Sequence, residues 1–173
     1  MVLRLFQKFV CFFIYVFYRI IYFKKIYSKD FSVLSGQLFI NNGFLELGYS
    51  FSSRSGVIIN ISSGNLIISD NVFLNNYVQI YVREKIIISN NVMIGNNVTI
   101  IDHDHLFDNN SIYRNKFVSA PIFIGENVWI GSNVTILKGV SIGKNSIIAS
   151  GSIVTKSIPE DSKFIQKRVS SFF

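Results

Sequence analysis

From Ile124 onward an aliphatic residue returns at every sixth position: Ile130, Ile136, Ile142, Ile148 and Val154. Ile88, Ile94 and Ile100 keep the same phase upstream, and a further run, Ile68, Leu74 and Ile80, is offset from it by two residues. The fifth residue of each hexamer is a second, smaller inward position: Val92, Val98, Val128, Val134, Val140, Ser146 and Ser152. A six-residue period fits neither the turn of an amphipathic helix nor the alternation of a half-buried strand. It predicts a parallel β-helix of hexapeptide coils. Each hexamer supplies a short strand and a turn, three hexamers close one triangular coil, and coils stack at roughly 4.8 Å. The corners Asn90-Asn91 and Asn96-Asn97 suit left-handed backbone, which Gly and Asn tolerate best. A coil buries its apolar face only against its neighbours, so stability belongs to the stack. A β-sandwich of short strands has no reason to keep this phase.

The chain divides on the same pattern. Residues 1–30 are expected as an aromatic-basic helix, 31–162 as the β-helix domain and 163–173 as a basic-apolar tail. Within the domain, 31–67 alternate apolar and polar residues and are expected to form irregular first coils. The regular beat is broken once, between Ile100 and Ile124. The 24 residues separating them keep phase but carry no inward aliphatic beat, so a loop over about 103–121 is expected to leave the stack. Long loops in compact domains are usually functional.

Charge changes the picture only at the N-terminus. Of 17 basic residues, Arg4, Lys8, Arg19, Lys24, Lys25 and Lys29 precede the first acid, Asp30. The remainder of the chain is nearly balanced, which argues against nucleic acid as a partner. The apolar run from Phe9 to Phe23 is broken by Arg19 and is short of the ~20 residues that span a bilayer. It lacks the small-residue cleavage site of a signal peptide. Aromatic density with flanking Lys and Arg suits an interfacial helix on an anionic leaflet, and residues 1–25 are the expected membrane-surface contact. Packing on the β-helix or on a neighbouring subunit is the competing, compatible placement. The expected location is cytoplasmic, with a peripheral place on the inner face of the cytoplasmic membrane left open. A single Cys11 excludes an intrachain disulfide framework.

The candidate chemistry lies at the mouth of the loop, in Asp102-His103-Asp104-His105, which hold both histidines of the chain. Residues two apart on a strand share a face, so His103 and His105, or Asp102 and Asp104, can point together. A metal site would need a third, remote ligand, and none is evident; no metal is expected. A general base is the favoured reading, because imidazole can accept a hydroxyl proton near neutrality and a carboxylate or carbonyl can fix its tautomer.

With these residues in place, the chain resembles the hexapeptide-repeat O-acetyltransferases, including galactoside, maltose and polysaccharide O-acetyltransferases. The resemblance is carried by ISDNVFLNN, ISNNVMIGNNVTI, the His-bearing loop, APIFIGENVWIGSNVTILKGVSIG and ASGSIVTKSIPED, over residues 68–161. It implies an all-β, left-handed β-helix, a homotrimer with sites between subunits, and acetyl-CoA as co-substrate. By position it implies His105 as the catalytic base, with His103 second. It implies acceptor contacts at the Asn75 and Arg83 positions, and CoA contacts at Trp129, Ser132, Ser150, Thr155 and Lys156; Asp102 and Asp104, flanking the histidines, are further acceptor-binding candidates. Arg83 stands where an acceptor-contacting Asp is usual, so the acceptor should differ. The cap domain of the sugar enzymes is replaced by the aromatic-basic helix, and their GxPA[KR] segment is absent, the matching stretch being FIQKRVSS. The implied function is acetyl transfer to a sugar hydroxyl, of a surface polysaccharide or its lipid-linked precursor. N-acylation of an amino sugar, or a non-catalytic β-helix module, are the alternatives.

Overall fold

The computed structural model describes residues 2–30 and 33–166. The tail residues Lys167, Arg168, Phe172 and Phe173 lie outside that range, as do the side chains of Arg4, Lys8 and Cys11. The hexamers wind into a left-handed parallel β-helix of about six turns, preceded by one helix, Val2–Ile21.

Three parallel faces enclose the core. The first stacks the leading halves of two long strands, Gly36–Leu47 and Val57–Ile68, on Gln79–Val82, Thr99–Ile101, Thr135–Ile136 and Ile153–Val154. The second stacks Ile26–Ser28 and the trailing halves of the long strands on Lys85–Ile88, Ile122–Ile124 and Ser141–Ile142. The third runs from Ser52–Ser53 through Phe73–Leu74, Met93–Ile94, Trp129–Ile130 and Ile147–Ile148 to Lys163–Phe164. In each column inward residue meets inward residue; Ile59, Ile80, Ile100, Ile136 and Val154 are all fully buried. A slip of one residue would turn a whole strand's apolar side to water. The smaller inward positions also hold: Val92, Val98, Val128, Val134 and Val140 are buried. Ser146 and Ser152 are buried too, and each hydroxyl donates to a backbone carbonyl, that of Pro159 at 3.0 Å and that of Ala149 at 2.7 Å.

One corner column places Asn71, Asn91, Asn127 and Asn145 at φ between 57° and 59°. Their amides form a ladder along the stack, with Asn71 donating to Asn91 at 2.8 Å and Asn127 to Asn145 at 3.1 Å. Asn thus serves twice, tolerating the left-handed turn and bonding the next coil. Of the four expected corner residues, Asn91 and Asn97 take positive φ, whereas Asn90 and Asn96 do not.

The structure corrects two expectations and details a third. The helix ends at Ile21 rather than near residue 30: the chain turns through Lys24-Lys25, and Ile26–Ser28 adds a strand beside Leu45–Leu47. The segment 31–67 is not irregular, because Gly36–Leu47 and Val57–Ile68 pair along nearly their full lengths across two faces. The expected loop does leave the stack, and it does so as an antiparallel hairpin, His103–Asp108 with Ser111–Ser119. Its turn is closed by Asn109 and Asn110, both at positive φ, the backbone that twists correctly between hairpin strands.

The hairpin leaves from the edge where the first face passes to the second. The two-residue offset seen in the sequence arises on that same edge. Ile80 and Ile88 are eight residues apart instead of six, and the surplus forms the corner at Arg83-Glu84. Gly64 occupies the coil before it, at φ +73°, where a Cβ would lie 2.1 Å from the Glu84 carbonyl oxygen. Only glycine fits so close an approach.

The helix docks on the opening coils through a tyrosine stripe. Tyr15, Tyr18 and Tyr22 donate to the carbonyls of Asp30, Gly36 and Leu38 at 3.3–3.4 Å, and Tyr18 and Tyr22 pack against the core. Arg19 donates to the Ile26 carbonyl at 2.6 Å. A terminal coil has no neighbour on one side, and an amphipathic cover of this kind closes it.

Candidate active site

Asp102 organises the site from below. It is fully buried. Its carboxylate accepts the backbone N–H groups of Arg83 at 2.8 and 3.1 Å, Glu84 at 2.8 Å and Lys85 at 3.0 Å. The wide corner at 83–84 would otherwise leave these donors without partners, and buried donors are rarely left so. The same carboxylate lies 2.9 Å from Nδ1 of His103. Asp102 therefore cannot touch an acceptor, contrary to the sequence expectation: burial makes it the pin of the corner and the orienter of His103.

His103 and His105 do share a face, as strand periodicity requires. Both rings pack on Phe117 of the opposite hairpin strand, with centroids 5.5 and 4.6 Å away. The His103 side chain is only 14% exposed and is committed to Asp102. His105 is exposed, and its Nδ1 faces the Tyr113 carbonyl at 3.4 Å. A carbonyl at Nδ1 selects the tautomer protonated there and leaves Nε2 free to accept a proton. A register shift between His105 and Leu106 bulges the facing strand and brings Tyr113 and Phe117 to adjacent rungs; bulges commonly re-aim side chains in this way. Asp104 points outward and pairs with Lys138, from the corner one coil further on. Arg83 lays its guanidinium over Phe117, 3.3 Å from the ring centroid.

The remaining candidates divide by edge. Thr155 and Lys156 lie on the hairpin's own edge, in the corner between Ile153–Val154 and Ile158, and both are exposed. Asn75, Ser132 and Ser150 lie on a different edge, between the third face and the first. There the coils are tied by Asn96 N–H to Ser132 Oγ at 3.3 Å and Ser132 N–H to Ser150 Oγ at 3.1 Å. Asn75 accepts the neighbouring Asn76 N–H at 3.0 Å. Trp129 is 55% exposed on the third face, in register between Met93 and Ile147. Within one chain, then, the histidines with Arg83 occupy one edge and Asn75, Ser132 and Ser150 another, with Trp129 on the third face that adjoins the latter.

Sequence reasoning did not single out Phe117, Tyr113 or Lys138. Phe117 sits off the six-residue beat, and its meeting with the histidines follows from hairpin register alone. The Asp108-Asn109-Asn110-Ser111 turn was the available signal for that hairpin. Among the described residues no group of three or more His, Cys, Asp or Glu side chains could hold a metal ion.

Residues 121–156 match the family model described as bacterial transferase hexapeptide (six repeats). No curated protein matches the chain. Among solved structures, it is similar to a hexapeptide-repeat-containing acetyltransferase from Vibrio cholerae O1 biovar eltor complexed with acetyl coenzyme A. That likeness has 29% identity and a TM-score of 0.60, and covers 68% of this chain and 63% of that one. The chain thus spans a little under two thirds of that protein's length. It also shares its fold with a maltose O-acetyltransferase from Clostridium difficile 630, at 22% identity and TM-score 0.58 over 93% of this chain and 82% of that. The N-acyltransferase AntD from Bacillus cereus, complexed with dTDP and 3-hydroxybutyryl-CoA, has the same fold at 18% identity and TM-score 0.67, over 78% and 74%. The chain is a hexapeptide-repeat β-helix, and acyltransferases are among its structural neighbours.

Proposed function

We propose that the protein is an acetyl-CoA-dependent O-acetyltransferase acting on a sugar hydroxyl, with His105 as general base. The observation that carries the reading is the exposed His105 imidazole, held at Nδ1 by a carbonyl on a hairpin thrown out from a transferase-type coil stack. Nε2 of His105 takes the proton of the acceptor hydroxyl as its oxygen attacks the thioester carbonyl carbon. The C–S bond then breaks, and the proton passes from the imidazolium to the departing CoA thiolate. Backbone N–H groups or a coil hydroxyl stabilise the oxyanion. His103, pinned by Asp102, packs on the same Phe117 ring as His105. Trp129, Ser132, Ser150, Thr155 and Lys156 are the residues assigned to CoA, and Asn75, Arg83 and Asp104 those assigned to the acceptor side.

The separation of candidates onto two edges supports a homotrimer, because a neighbouring subunit can bring its Trp129 edge to this subunit's hairpin. The acceptor is read as part of a surface polysaccharide or its lipid-linked precursor. Support comes from the helix, whose side away from the tyrosine stripe exposes Phe9, Phe13, Phe17 and Ile20, with Phe23 exposed in the turn that follows. Arg19, Lys24, Lys25 and Lys29 lie along or just after it. Such a surface suits the headgroup zone of an anionic leaflet. No helix among the described residues is long and apolar enough to cross a membrane.

Release of free CoA thiol from acetyl-CoA, followed across a panel of saccharides, tests the reading. Acceptor-dependent release with an O-acetyl ester in the product is expected. Release that never depends on a saccharide would overturn it.

A further inference from the structure

Among the described residues, Arg83 is a cation of the site with no ion-pair partner. Its backbone is fixed on both sides: the N–H is held by Asp102, and the carbonyl accepts Ser63 Oγ at 2.6 Å. Its guanidinium carbon lies over Phe117, 3.3 Å from the ring centroid. Yet among the described residues no side chain neutralises its charge. Asp102 is occupied by three backbone N–H groups and His103, and Asp104 is paired with Lys138. Among the described residues no ion pair involves Arg83, including with its neighbour Glu84. Its Nε is buried and has no hydrogen-bond partner. A half-buried guanidinium without a counter-ion carries a desolvation cost that an incoming anion would relieve. Because the side chain is already ordered on the ring, little of its rotamer freedom remains to be lost on binding.

The place of that cation matters as much as its charge. The Phe117 ring that carries Arg83 also carries His105 and His103. With the Arg83 guanidinium carbon 3.3 Å and the His105 ring 4.6 Å from one centroid, the two are at most 7.9 Å apart across Phe117, within the span of one saccharide unit. We propose that Arg83 is an anion-binding acceptor subsite, and that the natural acceptor bears a carboxylate or phosphate adjacent to the hydroxyl that is acetylated. The inference rests on the transferase reading above and narrows its acceptor from any saccharide to an acidic one. Planar, forked donors favour such oxyanions, since the guanidinium can meet two oxygens at once.

The competing account is that Arg83 only clamps the hairpin to the coil. The two are separated by a ratio. Acetyl transfer is measured on three matched acceptors, a methyl hexoside, the corresponding methyl hexuronide and the corresponding hexose phosphate, with the full-length protein and with Arg83→Met. Methionine keeps apolar contact with Phe117 and removes the charge. For the unsubstituted protein, kcat/KM should favour at least one anionic acceptor over the neutral one by about 10–100-fold, the scale of a hydrogen bond to a charged partner. Which anionic arm is favoured identifies a uronate or a phosphate. In Arg83→Met that preference should collapse toward unity. Equal falls on all three acceptors, or no preference to begin with, would overturn the subsite. Equilibrium binding of the same three saccharides is read independently of turnover. Selective, Arg83-dependent binding of an anionic saccharide without acetyl transfer would uphold the subsite while sinking the transferase reading; unselective binding would sink the subsite.

Discussion

Replacing Asp102 tests how the site is built, because one carboxylate serves the coil and the hairpin together. Asp102→Ala removes the acceptor of three backbone N–H groups, those of Arg83, Glu84 and Lys85, and the partner of His103. The Asp102 side chain is fully buried, so the space it leaves takes up water only if the corner opens. An orphaned buried donor costs about 1–3 kcal/mol. Three of them, with partial relaxation of the corner, place the loss at about 3–5 kcal/mol. That is a large share of the ~5–15 kcal/mol that holds a typical domain together. Asp102→Asn should cost roughly half as much, since one oxygen still accepts while the amide NH₂ faces donors. Urea denaturation measures the change as a shift in midpoint at constant slope. Hydrogen exchange localises it, with the amides of residues 83–85 losing protection first. An Asp102→Ala protein within about 1 kcal/mol of the parent, with those amides still protected, would refute the pinning role.

Other outcomes follow from the same geometry. His105→Ala should lower turnover by about 10²–10⁴ with little change in CoA affinity, and His103→Ala by less, in steady-state assays; the reverse order would move the base two residues earlier. Substituting Phe13, Phe17 and Ile20 together by Ser leaves the tyrosine stripe in place, so the unfolding midpoint should hold while flotation with anionic vesicles falls more than tenfold. Unchanged flotation would assign that face to another subunit. Activity should survive EDTA, since the donor set around His103 and His105 offers no third ligand; loss restored by Zn²⁺ would return the Asp/His cluster to metal chemistry.

Much of this protein was legible in the order of its residues. The six-residue return of Ile and Val determined the coil, because only a chain that turns every hexamer can put each of those side chains inside. The Asn corners followed from backbone preference. The two-residue offset after Ile80 and the broken beat after Ile100 were visible as well, though not the fact that both fall on one edge of the stack. The loop histidines were legible as a pair on one face, because strand alternation is local.

What the sequence did not hold was register between distant segments. His105 meets Phe117 and Tyr113 only through hairpin pairing with a bulge, and Asp104 meets Lys138 only because coils stack. Asp102 looked like its neighbour Asp104, an acid beside a histidine. Tertiary structure separated them, burying one against three backbone donors and leaving the other at the surface. The same is true of Arg83, an ordinary basic residue in the sequence. Stacked on Phe117, which His105 also contacts, and with no ion-pair partner among the described residues, it becomes a positioned charge. Local periodicity is set by bonded geometry and the sorting of apolar side chains, so sequence determines it. Which charges end up paired depends on contacts across coils and between hairpin strands, and only the folded stack decides those.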